Sequence, residues 1–305
     1  MAAASGGDDV SRRSEPLPSR IRGESVQSAQ PAEPPAQVAA LPPASAPPRE
    51  PLPTTFDGLA PLPDVFESTL AAGLNALGLA LPTEARVALD GYVRLLLRWT
   101  SAINLTAIRE PADVARLHLL DSLAAVPLLR AEGLTEFIDL GSGGGLPGIP
   151  IAIAEPQARL LLVESVAKKA RFLDTAVAAL HLDDRVGVAP ARAEDLARVD
   201  RQRGRWQAVL VRAVARLGEL VELAFPLLVV DGCLVAWKRE PLAAEIDAAG
   251  PILRTLGAGS IAIHPVRLTG LETHRLIVIR KLRPTPAAYP RSPAERRRTA
   301  TRQPM

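Results

Sequence analysis

The chain has 305 residues, 48% of them hydrophobic, which is enough for one large domain or two modest ones with a substantial core. A single cysteine excludes a disulfide framework, and with four scattered histidines it argues against a metal site. The net charge is only +3, no run approaches the roughly 18 apolar residues of a membrane helix, and the N-terminus lacks signal-peptide order. We therefore expect a soluble cytoplasmic protein without metal, and a monomer.

Both ends of the chain differ in composition from its middle. Residues 1–63 hold 13 of the 29 prolines and are rich in alanine and serine, so we expect a disordered extension. Residues 283–305 contain six arginines against one acid, which is typical of a solvated basic tail but also suits phosphate contacts. The folded domain is therefore predicted over 64–282.

The first part of that domain, residues 64–132, is predicted to be helical. The segments 64–79 and 83–104 have the apolar spacing of amphipathic helices. Pro111 is placed where a proline favours a helix start, and a third helix is predicted from there.

From residue 133 to 282, short apolar runs alternate with helical segments. This alternation predicts an α/β fold with a mostly parallel, seven-stranded, Rossmann-like sheet covered on both faces. The last two strands have no helix between them, so we expect an antiparallel pair at one edge, as in class I S-adenosylmethionine-dependent methyltransferases. The predicted strands are 137–140, 160–164, 185–189, 208–211, 233–238, 260–266 and 275–281.

The strongest local motif is the glycine-rich segment FIDLGSGGGLPG (137–148), at a strand-to-helix junction. Gly143, Gly145 and Gly148 match the dinucleotide fingerprint. The alternative is the S-adenosylmethionine loop, with Asp139 two residues before Gly141. A carboxylate there repels a pyrophosphate but suits a ligand with an ammonium and a sulfonium group, so the second interpretation is favoured.

Three further strand ends carry candidate cofactor contacts. Glu164 ends the second strand, where it can accept hydrogen bonds from ribose hydroxyls. Ala193 and Glu194 follow the third strand, where they either contact adenine or simply begin a short helix. Arg212 closes the fourth strand and can hold a cofactor carboxylate or an RNA phosphate.

The sequence lacks the groups that several methyl acceptors require. Cys233 lies inside a predicted strand and is interpreted as a core residue, which argues against pyrimidine C5 chemistry. No aromatic clamp follows the fourth strand in 211–214, and no general base is evident. Guanine N7 needs no proton removal, so a site without a base permits that acceptor.

The ordered set of motifs closely resembles the bacterial ribosomal RNA small subunit methyltransferase G family, also called glucose-inhibited division protein B. The resemblance spans roughly residues 90–282, although WKR (237–239) departs from the family's usual Leu-Lys-Gly. The motifs are WTSAINLTAI (99–108), HLLDSL (118–123), DLGSGGGLPGIP (139–150), VESVAKK (163–169), RAED (192–195), RAVA (212–215) and the basic ending YPRSP (289–293).

This resemblance implies S-adenosylmethionine-dependent methylation of guanosine N7 in 16S ribosomal RNA or the small ribosomal subunit. Together with the residues argued above, the expected cofactor contacts are Gly141, Leu146, Ala193, Glu194, Arg212, Asp139, Glu164 and Gly143. The candidate RNA contacts are Lys168, Lys169, Lys238 and Arg291. The alternatives are a small-molecule methyltransferase and a non-catalytic RNA-binding module that retains the cofactor fold.

Overall fold

The structure is a computed structural model that describes residues 51–212 and 215–300. Residues 1–50 of the expected extension, Ala213–Val214 and the last five residues of the expected tail lie outside the described residues. Within the described part, no helix is long and apolar enough to cross a membrane.

One seven-stranded sheet forms the centre of the molecule, in the order β3-β2-β1-β4-β5-β7-β6. Strands β1 to β5 are parallel, and β7 pairs antiparallel with both β5 and β6. The predicted fold and the reversed edge pair are thus confirmed. The strands are β1 (Glu136–Leu140), β2 (Arg159–Val163), β3 (Val186–Ala189), β4 (Trp206–Arg212), β5 (Leu228–Arg239), β6 (Ala258–Pro265) and β7 (His274–Lys281).

Helices cover both faces of this sheet. They are α1 (Asp64–Ala76), α2 (Thr83–Ile103), α3 (Pro111–Asp113), a π-helix (Val114–Leu120), α4 (Asp121–Leu123), α5 (Val126–Ala131), α6 (Gly148–Ala154), α7 (Ala167–Ala179), α8 (Ala193–Leu196), α9 (Leu217–Ala224), α10 (Ala243–Leu256) and α11 (Pro293–Ala300).

The core divides into two clusters because successive strand residues point to opposite faces. Phe137 packs with the helices of the N-terminal subregion, whereas its neighbour Ile138 packs on the side of α9 and α10. Cys233, in β5, is fully buried in the first cluster, and burial raises the pKa of its thiol to about 11. The core interpretation of this cysteine fits its position.

Residues 51–63 differ from the expected disordered extension, since they pack against α2. The Trp99 indole donates to the carbonyl of Pro53 at 2.8 Å, and Arg94 donates to that of Leu59 at 3.0 Å. The Phe56 ring lies over Gly91. The proline-rich composition gave no sign that this segment is ordered, because the residues that hold it lie on α2, far away in sequence.

The helix expected from Pro111 also differs, because the chain winds as a π-helix over Val114–Leu120. A π-helical segment is uncommon and is often associated with a functional site. Here it places His118, Asp121 and Ser122 beside the end of β4.

Candidate functional site

The glycine-rich segment forms a tight loop between β1 and α6. Gly141, Gly143 and Gly145 have φ values of +72°, +56° and +90°, which other residues adopt only with strain. Gly148 is needed for close approach, because a Cβ there would lie 2.8 Å from the Asp139 carboxylate. The sequence thus allows the backbone to fold directly onto an acidic side chain.

Two carboxylates hold this loop from the ends of adjacent strands. The Gly148 amide donates to Asp139 Oδ2 at 3.1 Å, and the Gly143 amide donates to Glu164 Oε2 at 3.0 Å. Glu164 Oε1 also accepts from the amide of Val166 at 2.8 Å. Loop amides that could have bound a phosphate are therefore engaged by carboxylates.

Asp139 has the most unusual environment of these acids. Its side chain is fully buried, and burial raises the pKa of its carboxyl to about 7 despite the hydrogen bond from Gly148 and the positive charge of Arg212. Its Oδ1 is a buried oxygen without a hydrogen-bond partner among the described residues. A buried acceptor of this kind is suited to a donor that arrives with a ligand.

Residues of the N-terminal helical subregion pack against the same glycine-rich loop. The fully buried Tyr92, on α2, donates its hydroxyl to the carbonyl of Gly144, and burial raises the pKa of the phenol. Leu96 and Leu105 approach Gly144 so closely that a Cβ there would collide with Leu96. The helical subregion therefore fixes the outer side of the glycine loop.

A cavity of about 200 Å³ opens beside the loop at the carboxyl ends of β1 to β4. Ligands in open α/β sheets bind at this edge. Its lining residues are Leu140, Gly141, Val163, Ser165, Ala191, Arg192, Ala193, Glu194, Val211, Glu219, Leu220, Leu223 and Arg296.

The cavity has apolar walls and a few charged groups. Glu194 is buried at the start of α8, and Glu219 lies in the first turn of α9. Arg296 reaches both carboxylates from α11, with Nη2 3.5 Å from Glu194 and Nε 3.4 Å from Glu219. Apolar surface with convergent polar groups is typical of a small-molecule site.

Arg212 contacts the helical subregion instead of this cavity. Its Nη1 donates to the carbonyl of Leu117 at 3.1 Å and pairs with Asp121 Oδ2 at 3.2 Å. Asp121 also pairs with His274 on β7 at 2.8 Å. In the structure the Arg212 guanidinium has these protein partners, and its expected contact with a cofactor carboxylate stays a prediction.

The same network defines the state of His118. Burial, followed by the charge of Arg212, lowers the pKa of this imidazole to about 4, so it is neutral at pH 7. Arg212 can only donate, so the His118 Nδ1 at 3.3 Å must accept. The proton is then on Nε2, which donates to the Thr106 hydroxyl at 2.6 Å. In this state His118 connects Thr106 to Arg212.

The four candidate RNA contacts divide into two pairs. Lys168 is exposed and Lys169 half-buried in the first turn of α7, after β2. Lys238 pairs with Glu245 at 2.5 Å, and the Arg291 guanidinium donates to the buried Glu222 at 2.9 and 2.6 Å, while the expected contacts of both residues with RNA stay predictions. Cations committed in this way have less charge to offer a phosphate.

Of the eight expected cofactor residues, Gly141, Ala193 and Glu194 line the cavity. The other five lie around it: Asp139 and Glu164 hold the glycine loop, Gly143 and Leu146 belong to that loop, and Arg212 faces the π-helix.

The sequence reasoning missed Tyr92 and Arg296. Tyr92 looked like one more apolar residue of an amphipathic face, and only its hydroxyl distinguished it. For Arg296 a signal existed, because Ser292 and Glu295 have the spacing of a capping box and predict a helix start. Its partners on α8 and α9 were not visible in the sequence. No group of three or more metal-ligating side chains occurs in the part of the chain that the structure describes.

The comparisons with known sequences agree on one family. Residues 86–265 match the family model described as rRNA small subunit methyltransferase G. The ribosomal RNA small subunit methyltransferase G of Roseiflexus sp. (strain RS-1) is 40% identical over 218 residues, which cover 72% of this chain and 92% of that protein. The protein of the same name from Dehalococcoides mccartyi (strain CBDB1) is 38% identical over 223 residues, covering 73% and 94%.

Solved structures with a similar fold are more distant. The O-methyltransferase from Bacillus cereus, in complex with SAH, superposes with a TM-score of 0.48 at 14% identity and covers 71% of this chain and 100% of that one. Pyrococcus horikoshii TYW2, in complex with MeSAdo, gives a TM-score of 0.39 at 16% identity, covering 48% and 57%.

Proposed function

Because the chain belongs to the rRNA small subunit methyltransferase G family, it is an S-adenosylmethionine-dependent methyltransferase of 16S ribosomal RNA, and we propose that it methylates N7 of a guanosine. We also propose that the protein acts in the cytoplasm as a monomer.

The observation that supports this site most strongly is the pair of carboxylates that hold the glycine loop. Asp139 and Glu164 accept hydrogen bonds from the amides of Gly148 and Gly143. Those amides would face the pyrophosphate in a dinucleotide site. Two acids at this point favour a ligand with positive charge, as S-adenosylmethionine has on its ammonium and sulfonium groups.

The cofactor fits the lining residues part by part. We place adenine in the cavity between Val163, Ala193 and Leu220, with its amino group directed at Glu194. We assign the ribose to Glu164, because its two hydrogen bonds leave acceptor sites on both oxygens. The amino acid part then lies toward Gly141 and the unpartnered Oδ1 of Asp139.

The acceptor follows from what the cavity walls contain. Of the acids that line the cavity, Glu194 and Glu219 both face Arg296, and the nearby His118 has its imidazole engaged by Thr106 and Arg212. An acceptor that must lose a proton would need a poised base. Guanine N7 has a free lone pair, so the protein needs only to align it with the methyl group.

The RNA is proposed to lie across the carboxyl edge of the sheet. Exposed or half-exposed cations lie at the carboxyl ends of four of the five parallel strands, namely Lys168 and Lys169 after β2, Arg192 after β3, Arg216 after β4 and Arg239 at the end of β5. Such a row can contact successive phosphates around one accessible base. Lys238 and Arg291 are left out of this surface because of their internal ion pairs.

The proposal is tested by locating the transferred methyl group. The full chain is incubated with methyl-labelled S-adenosylmethionine and either 16S RNA or small subunits, and the product is cleaved by borohydride and aniline, which break RNA at N7-methylguanosine. We expect label and cleavage at one guanosine, in reactions that contain both enzyme and RNA.

Three results would contradict the proposal. A label that resists this cleavage would place the methyl group on another atom. Transfer to small acceptors without regard to RNA would favour a small-molecule methyltransferase. Tight cofactor binding without transfer to either ribosomal substrate would favour a non-catalytic RNA-binding module.

A further inference from the structure

The segment 284–300, which we call the C-terminal strap, is anchored on the folded domain. The Arg203 guanidinium donates to the carbonyls of Tyr289, Pro286 and Thr285 at 2.8, 3.1 and 3.2 Å. Further along, Arg291 pairs with Glu222 on α9. The path of the strap is therefore fixed by the three hydrogen bonds from Arg203 and by the ion pair between Arg291 and the buried Glu222.

A helix start then directs the strap toward the cofactor cavity. The Ser292 amide donates to Glu295 Oε2 at 2.8 Å, and Ser292 Oγ accepts from the Glu295 amide at 3.3 Å, which is the reciprocal pattern of a capping box. One turn later, Arg296 Nη1 donates back to the carbonyl of Arg291 at 2.8 Å. The side chain of Arg296 is therefore fixed in part by a hydrogen bond within the C-terminal strap itself.

Arg296 lies in a wall between two cavities. It lines the cofactor cavity and also a second one of about 940 Å³ between α9, α10 and the strap, and Glu219 is the other residue that lines both. The side chain of Arg296 is 13% exposed and that of Glu194 is 8% exposed. The Nε of Arg296 is close enough to Glu219 for ion pairing but makes no hydrogen bond.

This arrangement leaves the orientation of Glu194 dependent on Arg296. Glu194 begins a helix of only four residues, so its own element constrains it weakly. Arg296 is the ion-pair partner of its carboxylate among the described residues. A carboxylate accepts a hydrogen bond from the 6-amino group of adenine but meets an oxygen in a 6-oxopurine, so its orientation decides which base is accepted.

We propose that Arg296 is a positioning residue for cofactor specificity, which holds the Glu194 carboxylate toward the purine 6-position and makes the C-terminal strap part of the cofactor site. The proposal rests on the placement of adenine at Glu194 under the proposed function. Arg296 acts through Glu194, so its removal changes discrimination between purines more than it changes the fold.

The experiment compares two ligands that differ only at the purine 6-position. Dissociation constants for S-adenosylhomocysteine and S-inosylhomocysteine are measured by titration calorimetry for the full-length wild type, Arg296→Gln, Arg296→Lys and Glu194→Gln. Arg298→Gln is the matched control, because Arg298 is an exposed arginine on the same helix. Circular dichroism and melting temperatures report whether each variant is folded.

We expect the wild type and Arg298→Gln to prefer the adenine ligand by the same factor. In Arg296→Gln this factor should fall about ten-fold or more, the scale of one lost charge-assisted hydrogen bond. Arg296→Lys should recover part of it, since a cation is restored without the planar guanidinium.

The failures of the two proposals are distinguishable. If Glu194→Gln keeps the wild-type factor, adenine is not recognised by Glu194 and that part of the proposed function is wrong. If Glu194→Gln loses the factor while Arg296→Gln keeps it, the placement of adenine stands and the role of Arg296 is overturned. Should Arg296→Gln fail to fold, Arg296→Lys decides: a factor below the wild-type one supports the role of Arg296, and an unchanged factor overturns it.

Discussion

At the scale of single residues, Asp139 makes the fold sensitive to pH. The pKa of its carboxyl is raised from 3.8 to about 7, mainly by burial. Between these two values the folded protein binds a proton that the unfolded chain does not. The stability from this group is therefore full below about pH 4 and is lost as pH rises through about 7.

Asp139→Asn should remove this pH dependence while its side-chain carbonyl still accepts from Gly148. The unfolding free energy of the variant relative to wild type should rise by up to about 1.4 kcal/mol per pH unit between about pH 4 and pH 7, and then level off. Urea unfolding of the ligand-free proteins at several pH values measures the difference.

The exposed Asp183 provides the comparison, since Asp183→Asn makes the same chemical change at the surface. The comparison shows how the free energy of unfolding changes when a surface carboxylate is replaced by an amide over the same pH series. A constant difference for Asp139→Asn would show that the buried carboxyl does not gain and lose charge in this range.

Single residues also show where sequence reasoning stops. Asp139 and Glu164 could be predicted because each stands next to a motif that fixes its place in the fold. Arg212 was placed correctly at the end of β4, but its partners come from a segment some 90 residues earlier. Local patterns define the position of a side chain on its element, whereas tertiary packing decides which groups it meets.

At the scale of elements, α2 is fitted to the segment that precedes the helices. Gly91 lies inside α2, where glycine normally costs about 1 kcal/mol relative to alanine. A Cβ at this position would come within 2.8 Å of the Phe56 ring, which also stacks on Arg94 at 5.6 Å. The glycine thus leaves room for residues 51–63 to pack.

A double-mutant cycle tests this account. Gly91→Ala alone should lower the unfolding free energy by about 1 kcal/mol, because displacing the ring costs more than the helix gains. In a Phe56→Ala background the same change should raise it by about 1 kcal/mol. The measurement is urea unfolding of the four proteins. An equal effect of Gly91→Ala in both backgrounds would mean that the ring does not restrain this position.

Elements differed in how well the sequence predicted them. All seven strands were found. The five parallel ones are buried on both faces and leave short apolar runs bounded by loops, and β6 and β7 follow as a pair without a helix between them. The π-helix was missed because its residues have ordinary helical composition, and only the contacts of His118 and Asp121 with β4 and β7 explain its winding. The strap was missed because its arginines looked solvated.

At the scale of the whole molecule, basic residues lie at both edges of the sheet. At the carboxyl edge, Lys168 and Arg192 are exposed close to the cofactor cavity. At the amino edge, Arg159 is an exposed cation at the start of β2. Arg159, at the opposite end of β2 from Lys168, therefore serves as a control for the proposed RNA surface.

Lys168→Gln should weaken RNA binding and reduce the slope of log K against log salt by about one, because one phosphate contact is lost. Filter binding to 16S RNA over a range of sodium chloride concentrations measures both quantities. Arg159→Gln should leave the slope unchanged, although it removes the same charge. Equal slopes for the two variants would place the RNA elsewhere.

Cys233 has a practical consequence for labelling the protein in solution. It is the chain's one cysteine, it is buried in β5, and burial raises the pKa of its thiol to about 11. Since thiolates are the species that react with maleimides, the native chain should react very slowly with maleimide dyes. A cysteine introduced at an exposed position such as Arg298 would accept a fluorophore selectively, with no prior removal of the natural thiol.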